Sequence, residues 1–137
     1  MNRNDLKLLA LTRLGEAKVL LANGEYSGAY YLAGYVVECA LKACIAKRTK
    51  RHDFPDKKTV NDSWIHGLAK LVGPAGLEIS LAAEIKADPV FSRNWADVIR
   101  WTEESRYGLN AERQAVDLIK AISDRRHGVL RWLKRHW

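Results

Sequence analysis

The chain is poor in the residues that staple or punctuate a fold. Its 137 residues include two cysteines, three prolines, one methionine and two phenylalanines. Two cysteines cannot build the framework of a disulfide-rich secreted domain. Cys39 and Cys44 lie five apart in a helical stretch, about 140° round the helix, so neither a bridge nor a shared metal is expected between them. They read as buried, reduced thiols of a cytoplasmic protein. No run reaches the ~18 apolar residues of a membrane span. Met1-Asn2-Arg3-Asn4-Asp5 leads into polar-interrupted sequence and not into a secretory signal. The sequence shows no Gly-rich phosphate loop, no dinucleotide fingerprint and no Ser/His/Asp or Cys/His nucleophile set. No second His or Cys stands at ligand spacing from His66, so neither a metal nor a cofactor is assigned.

Hydrophobic residues make up 47% of the chain and charged residues 28%, the balance of an ordinary globular domain. The length suits a single domain over residues 1–137, able to bury a core without staples. The net charge is +7, and it is placed unevenly. Lys42–Lys58 holds seven Lys/Arg against two Asp, and so does Arg113–Trp137, while the remainder is acidic. Two such blocks read either as a phosphate-attracting face or as two solvated ends.

Helical periodicity dominates, with no convincing strand. Asn4 to Ala22 carries Leu6, Leu9, Ala10, Leu14, Ala17 and Leu21 at spacings of three and four, with Asn4 as N-cap and Asn23-Gly24 as stop. Glu25 to Arg48 is apolar nearly all round: between Ala29 and Ala46 only Glu38 and Lys42 are charged. Such a helix belongs at the centre of a bundle. Gly28, Ala29, Ala33 and Gly34 invite close approach, and Tyr26, Tyr30, Tyr31 and Tyr35 bury rings with hydroxyls at the rim. A mobile basic loop is expected at about 49–63. Short helices follow at Trp64–Val72, from Leu77 to Asp88-Pro89, and at Phe91–Ser105, the last broken by Arg106-Tyr107-Gly108. A final helix from Asn110 to about Arg135 would span ~40 Å if Ser123 and Gly128 do not bend it. The fold class is all-α, an antiparallel four- to five-helix up-and-down bundle. Of the five tryptophans, Trp64, Trp95 and Trp101 read as core or dimer anchors. Trp132 and Trp137, with Val129 and Leu133, read as an apolar interface patch on the last helix.

Leu14-Gly15-Glu16-Ala17, Asn23-Gly24-Glu25-Tyr26-Ser27-Gly28-Ala29 and the Glu-x-x-Leu-Lys-Ala run at Glu38–Ala43 are followed in order by His66-Gly67-Leu68 and Arg106-Tyr107. This ordered set, over about residues 5 to 125, resembles the HEPN domain, the "higher eukaryotes and prokaryotes nucleotide-binding" helical bundle. The resemblance implies a four- or five-helix domain, usually a homodimer. Some members pair with minimal nucleotidyltransferases in toxin–antitoxin or related conflict systems, some are metal-independent ribonucleases, and others bind nucleotide or RNA without catalysis. Catalytic members carry an Arg followed after four to six residues by a His. Arg would stabilise the anionic transition state and His would move a proton near neutral pH. Here Arg93-Asn94 and Arg106 lack a His at that spacing, whereas Arg131 has His136.

The residues give two sets of candidates. Arg131 and His136 are the catalytic pair of a ribonuclease reading. Lys42, His66, Arg106 and Tyr107 are the nucleotide- or phosphate-binding set: guanidinium, ammonium and ring suit phosphate contact and base stacking. Glu38 and Lys42, four apart with the Glu first, are also expected as a structural polar pair. Arg106 is expected to pair with Glu103 or Glu38. The leading expectation is nucleotide or RNA binding by a homodimer, with a nucleotidyltransferase as partner protein and no membrane. The alternatives are a metal-independent ribonuclease and a non-catalytic protein-interaction module.

Overall fold

The computed structural model describes residues 1–49, 56–64 and 66–137. Among these residues the fold is all helical, with eight α-helices and one 3₁₀ turn. α1 spans Arg3–Ala22 and α2 spans Tyr26–Arg48. The cap of α1 is Asn2, two residues before the expected one. Asn2 Oδ1 accepts the Asp5 N–H at 2.9 Å, and the Asp5 carboxylate accepts the Asn2 N–H at 3.0 Å, so two free donors are satisfied reciprocally. Asn23 ends α1, and Gly24 supplies the left-handed residue (φ +77°) that a side chain would resist. A three-residue link of this kind folds α1 and α2 into an antiparallel hairpin.

α2 is the central helix, as its composition requires. It packs on α1, α7, α8, α4 and the 3₁₀ turn. Ala29, Ala33, Val36, Val37, Ala40, Leu41, Ala43, Cys44 and Ile45 are buried around its circumference. By length and composition it is also the one described helix able to cross a membrane, yet 67% of its apolar window is buried inside this fold. Both cysteines are free thiols, and burial pushes each thiol pKa up to about 11, Glu38 adding to the effect at Cys39.

The expected loop at 49–63 is partly a helix: α3 spans Lys57–Ser63, while 50–55 lie outside the described residues. α3 escapes periodicity because Val60, its one large apolar residue, is 38% exposed. α4 is shorter than expected, Leu68–Leu71, with Gly67 at its N-cap position. α5, Glu78–Ala87, ends where Asp88-Pro89 predicts. Asp88 then caps α6, Pro89–Ile99, accepting the Val90 and Phe91 N–H groups through Oδ1.

α6 stops before the expected Ser105 for a tertiary reason. Trp101 leaves the helix and lays its ring on Gly34 of α2, where a Cβ would sit 1.9 Å from the indole. The ring is 1% exposed and meets Tyr35 edge-on at 5.1 Å. Thr102 is extended, and the chain tightens into the 3₁₀ turn Glu103–Tyr107. Gly34 is thus a close-approach glycine, although the approaching group is a ring and not a helix.

The expected final helix is two helices. α7 spans Glu112–Ser123 and α8 spans Val129–Lys134. Asp124 Oδ1 accepts the Arg126 and His127 N–H groups, closing a turn that redirects the chain. At Gly128 a Cβ would lie 2.4 Å from the Asp124 carbonyl oxygen. Asn110 does not cap α7. Its N–H donates to Ser27 Oγ, and Gln114 Oε1 accepts the Ala111 N–H instead. The redirection turns α8 inward, which overturns the expected surface patch: Val129, Trp132 and Leu133 are buried. Trp132 packs edge-on against Phe91 at 5.4 Å and Trp95 at 6.1 Å, and Trp137 is half-buried. The exposed tryptophan is Trp64, at 76%.

His127 Nδ1 lies 2.6 Å from Asp88 Oδ2 and ties the α7–α8 turn to the α5–α6 corner. That bond, followed by the Phe91 and Val90 N–H groups, holds the Asp88 carboxyl below its ordinary pKa; the His127 and Arg126 N–H groups do the same for Asp124. Stability from such groups is present above the unfolded carboxyl pKa of about 4 and is lost as the pH falls through the folded value. Thermal melts should therefore show a falling Tm below about pH 4, and Asp88→Asn should flatten that fall. Gly34→Ala should destabilise the fold by about 1–3 kcal/mol in urea titrations, because Trp101 must shift.

Candidate functional site

One stripe of α2 is polar. Tyr31, Tyr35, Glu38 and Lys42 are spaced four, three and four apart, so they fall on a single face of the helix. The segment before α4 brings His66 to this stripe, and the Trp101 anchor delivers Glu103, Arg106 and Tyr107. Three segments remote in sequence thus meet at one place.

Glu38 is the centre of the arrangement and is 2% exposed. Its Oε1 accepts from Lys42 Nζ at 3.1 Å and faces His66 Nδ1 at 2.5 Å. The expected Glu38–Lys42 pair is present, joined by a histidine that spacing alone did not assign to it. Glu38 Oε2 is buried with no hydrogen-bond partner among the described residues. A buried carboxylate needs such partners, because desolvation of an unpaired ion costs several kcal/mol. The other ring nitrogen of His66, Nε2, lies 3.4 Å from Glu103 Oε2. The imidazole is 43% exposed and open to solvent.

Arg106 departs from the pairing expected of it. Among the described residues it makes no ion pair with Glu103 or Glu38, since Glu103 faces His66. Its guanidinium lies 4.7 Å over the Tyr107 ring centroid. Tyr107 first, and Tyr31 after it, hold the Arg106 pKa above its ordinary value. The Tyr31 and Tyr35 hydroxyls are 3.3 Å apart, and burial first, then Tyr31, pushes the Tyr35 phenol up. Tyr107 itself is 79% exposed. Lys42, His66, Arg106 and Tyr107 therefore belong to one connected cluster: a fixed imidazole, two cations and an exposed ring. Among the described residues no group of three or more His, Cys, Asp or Glu could hold a metal ion.

Arg131 and His136 are not brought together. The Arg131 guanidinium donates to the Arg126 carbonyl at 2.9 Å. His136 turns to α5, where its Nε2 lies 3.1 Å from Ser80 Oγ, itself the acceptor for Trp132 Nε1 at 3.2 Å. Burial first, and Arg135 second, hold the His136 pKa below its ordinary value, so its ring is neutral at pH 7.

The energetics give a direct check. Lys42→Met with His66→Phe strips Glu38 of both partners and should cost about 3–5 kcal/mol in denaturant titrations. Adding Glu38→Gln to that pair should restore much of the loss.

Residues 4–135 match the family model for the HEPN domain. No curated protein and no solved structure matches the chain. The match takes in α1 through α8, the polar stripe of α2, His66 and the 3₁₀ turn. With nearly its whole length matched and no strand among its described residues, the chain belongs to the HEPN domain family, a nucleotide- and RNA-related group of helical domains.

Proposed function

We propose that this chain binds the phosphate of a nucleotide or of RNA at the cluster of Lys42, His66, Arg106 and Tyr107. The observation that carries the reading is the imidazole pinned at Nδ1 to the buried Glu38. The rest of the ring remains at the surface and faces Glu103, on the turn that also carries Arg106 and Tyr107. Arg106 supplies a permanent cation with fixed donors, Lys42 a second charge, and Tyr107 an exposed ring for a base. The protein acts in the cytoplasm as a homodimer beside a nucleotidyltransferase, in a toxin–antitoxin or related conflict system. The burial of Trp132 moves support for the dimer to α1, where Leu8, Leu11 and Val19 are exposed along one line with Gly15 between them.

The ribonuclease reading finds more support at His66 than at Arg131 and His136. With Nδ1 held by Glu38, His66 Nε2 would leave Glu103 and take the proton of an RNA 2′-hydroxyl as its oxygen attacks phosphorus. The P–O5′ bond would then break, O5′ taking a proton from solvent, to leave a 2′,3′-cyclic phosphate and a 5′-hydroxyl. Labelled single-stranded RNA incubated in EDTA separates the alternatives. Loss of cleavage in His66→Ala, with His136→Ala unaffected, would locate catalysis at the α2 cluster. For the binding reading, Arg106→Gln should weaken AMP or GMP affinity about tenfold at low salt in fluorescence titrations. Unchanged affinity would remove this site from consideration.

A further inference from the structure

Arg131, the cation of the ribonuclease expectation, stands in a second and separate place. A groove of about 400 Å³ lies between the second half of α1, the α7–α8 turn and α8. Lys18, Arg125, Arg131 and Lys134 line it, all exposed, with Leu14, Ile122 and Leu130 beneath them. Among the described residues, none of these four cations has an ion pair. Some cations elsewhere are matched, Arg13 with Glu16, Arg100 with Asp97, Arg113 with Asp117 and Arg135 with Glu84. The one carboxylate in the lining, Asp124, points Oδ1 at the N–H groups of its own turn. Arg131 is held in place by the Arg126 carbonyl, and Lys134, three residues on, is its neighbour on the same face of α8, with Cβ atoms about 5–6 Å apart.

We propose that this groove is a second phosphate site, taking the backbone of single-stranded RNA. Four unpaired cations around a recess form an electrostatic sink for phosphates. The apolar residues argue for a strand and against a bilayer. Membrane-seated faces present protruding apolar side chains, whereas Ile122 is 0% and Leu130 3% exposed here. The inference rests on the RNA reading of the family but not on the α2 cluster, which shares no residue with the groove.

The test compares the full-length protein with Lys18→Gln/Lys134→Gln and Arg125→Gln/Arg131→Gln, each checked for folding by circular dichroism. Binding of a fluorescein-labelled 12-nucleotide RNA is followed by polarisation across a salt series. Each double variant should lose about tenfold or more in affinity at low salt. Its slope of log K against log salt should shrink by about 0.7 for each phosphate contact removed. AMP affinity should stay unchanged. Unaltered RNA affinity and slope in a folded Lys18→Gln/Lys134→Gln variant would overturn the proposal. So would loss of sedimentation with phosphatidylglycerol vesicles while RNA binding stays intact, since that outcome assigns the groove to a lipid surface. If Arg106→Gln leaves AMP binding intact while the groove variants lose RNA, the α2 reading fails and this one stands.

Discussion

The arrangement depends on a carboxylate that cannot be left alone. Glu38 sits in the most buried helix of the bundle, where an unpaired charge costs as much as a large packing defect. Lys42 comes from the next turn of the same helix and needs no tertiary structure. His66 comes from another segment and needs all of it. Glu38 therefore ties the segment before α4 to α2 by a hydrogen bond, in a stretch whose Trp64 stays exposed. The same bond fixes which ring nitrogen is turned inward and which is presented outward. A structural requirement and a chemical orientation are met by one oxygen.

The second constraint is steric. Trp101 occupies space over Gly34 that any side chain at that position would take, and in doing so it ends α6 and starts the 3₁₀ turn. Glu103, Arg106 and Tyr107 follow within six residues, so their placement inherits the precision of a buried indole. This explains how exposed groups on a short irregular segment come to sit beside α2. They are cantilevered from a core contact.

The sequence was most legible where the physics is local. Apolar spacing and the Asn23-Gly24 stop located α1 and α2, and the nearly unbroken apolar circumference of α2 marked it as central. The family resemblance, read from ordered short motifs, extended over the chain in the same way. What remained hidden was tertiary. No local breaker precedes Trp101, so the end of α6 could not be seen. Apolar residues keep helical spacing on both sides of Asp124, so periodicity ran through a turn held by that carboxylate and by Gly128. Misreading this turn also misplaced Trp132, which faces the core because α8 is redirected. In the candidate site, the sequence named Lys42, His66, Arg106 and Tyr107 but not their wiring. That Glu38 would take His66, and that Glu103 would then leave Arg106 to Tyr107, depends on register between segments far apart in the chain.

That separation bears on how the molecule assembles. Glu38 and His66 are 28 residues apart, while α1 and α2 meet across a three-residue turn. Loop-closure entropy favours the hairpin early and penalises contacts that must wait for α6 and the following turn. The α1–α2 hairpin can form with Glu38 still hydrated on one side, and the carboxylate loses its water only when the later segments arrive. Formation of the polar cluster thus coincides with completion of the fold. A chain folded only as far as the hairpin would carry its two longest helices and none of the completed site.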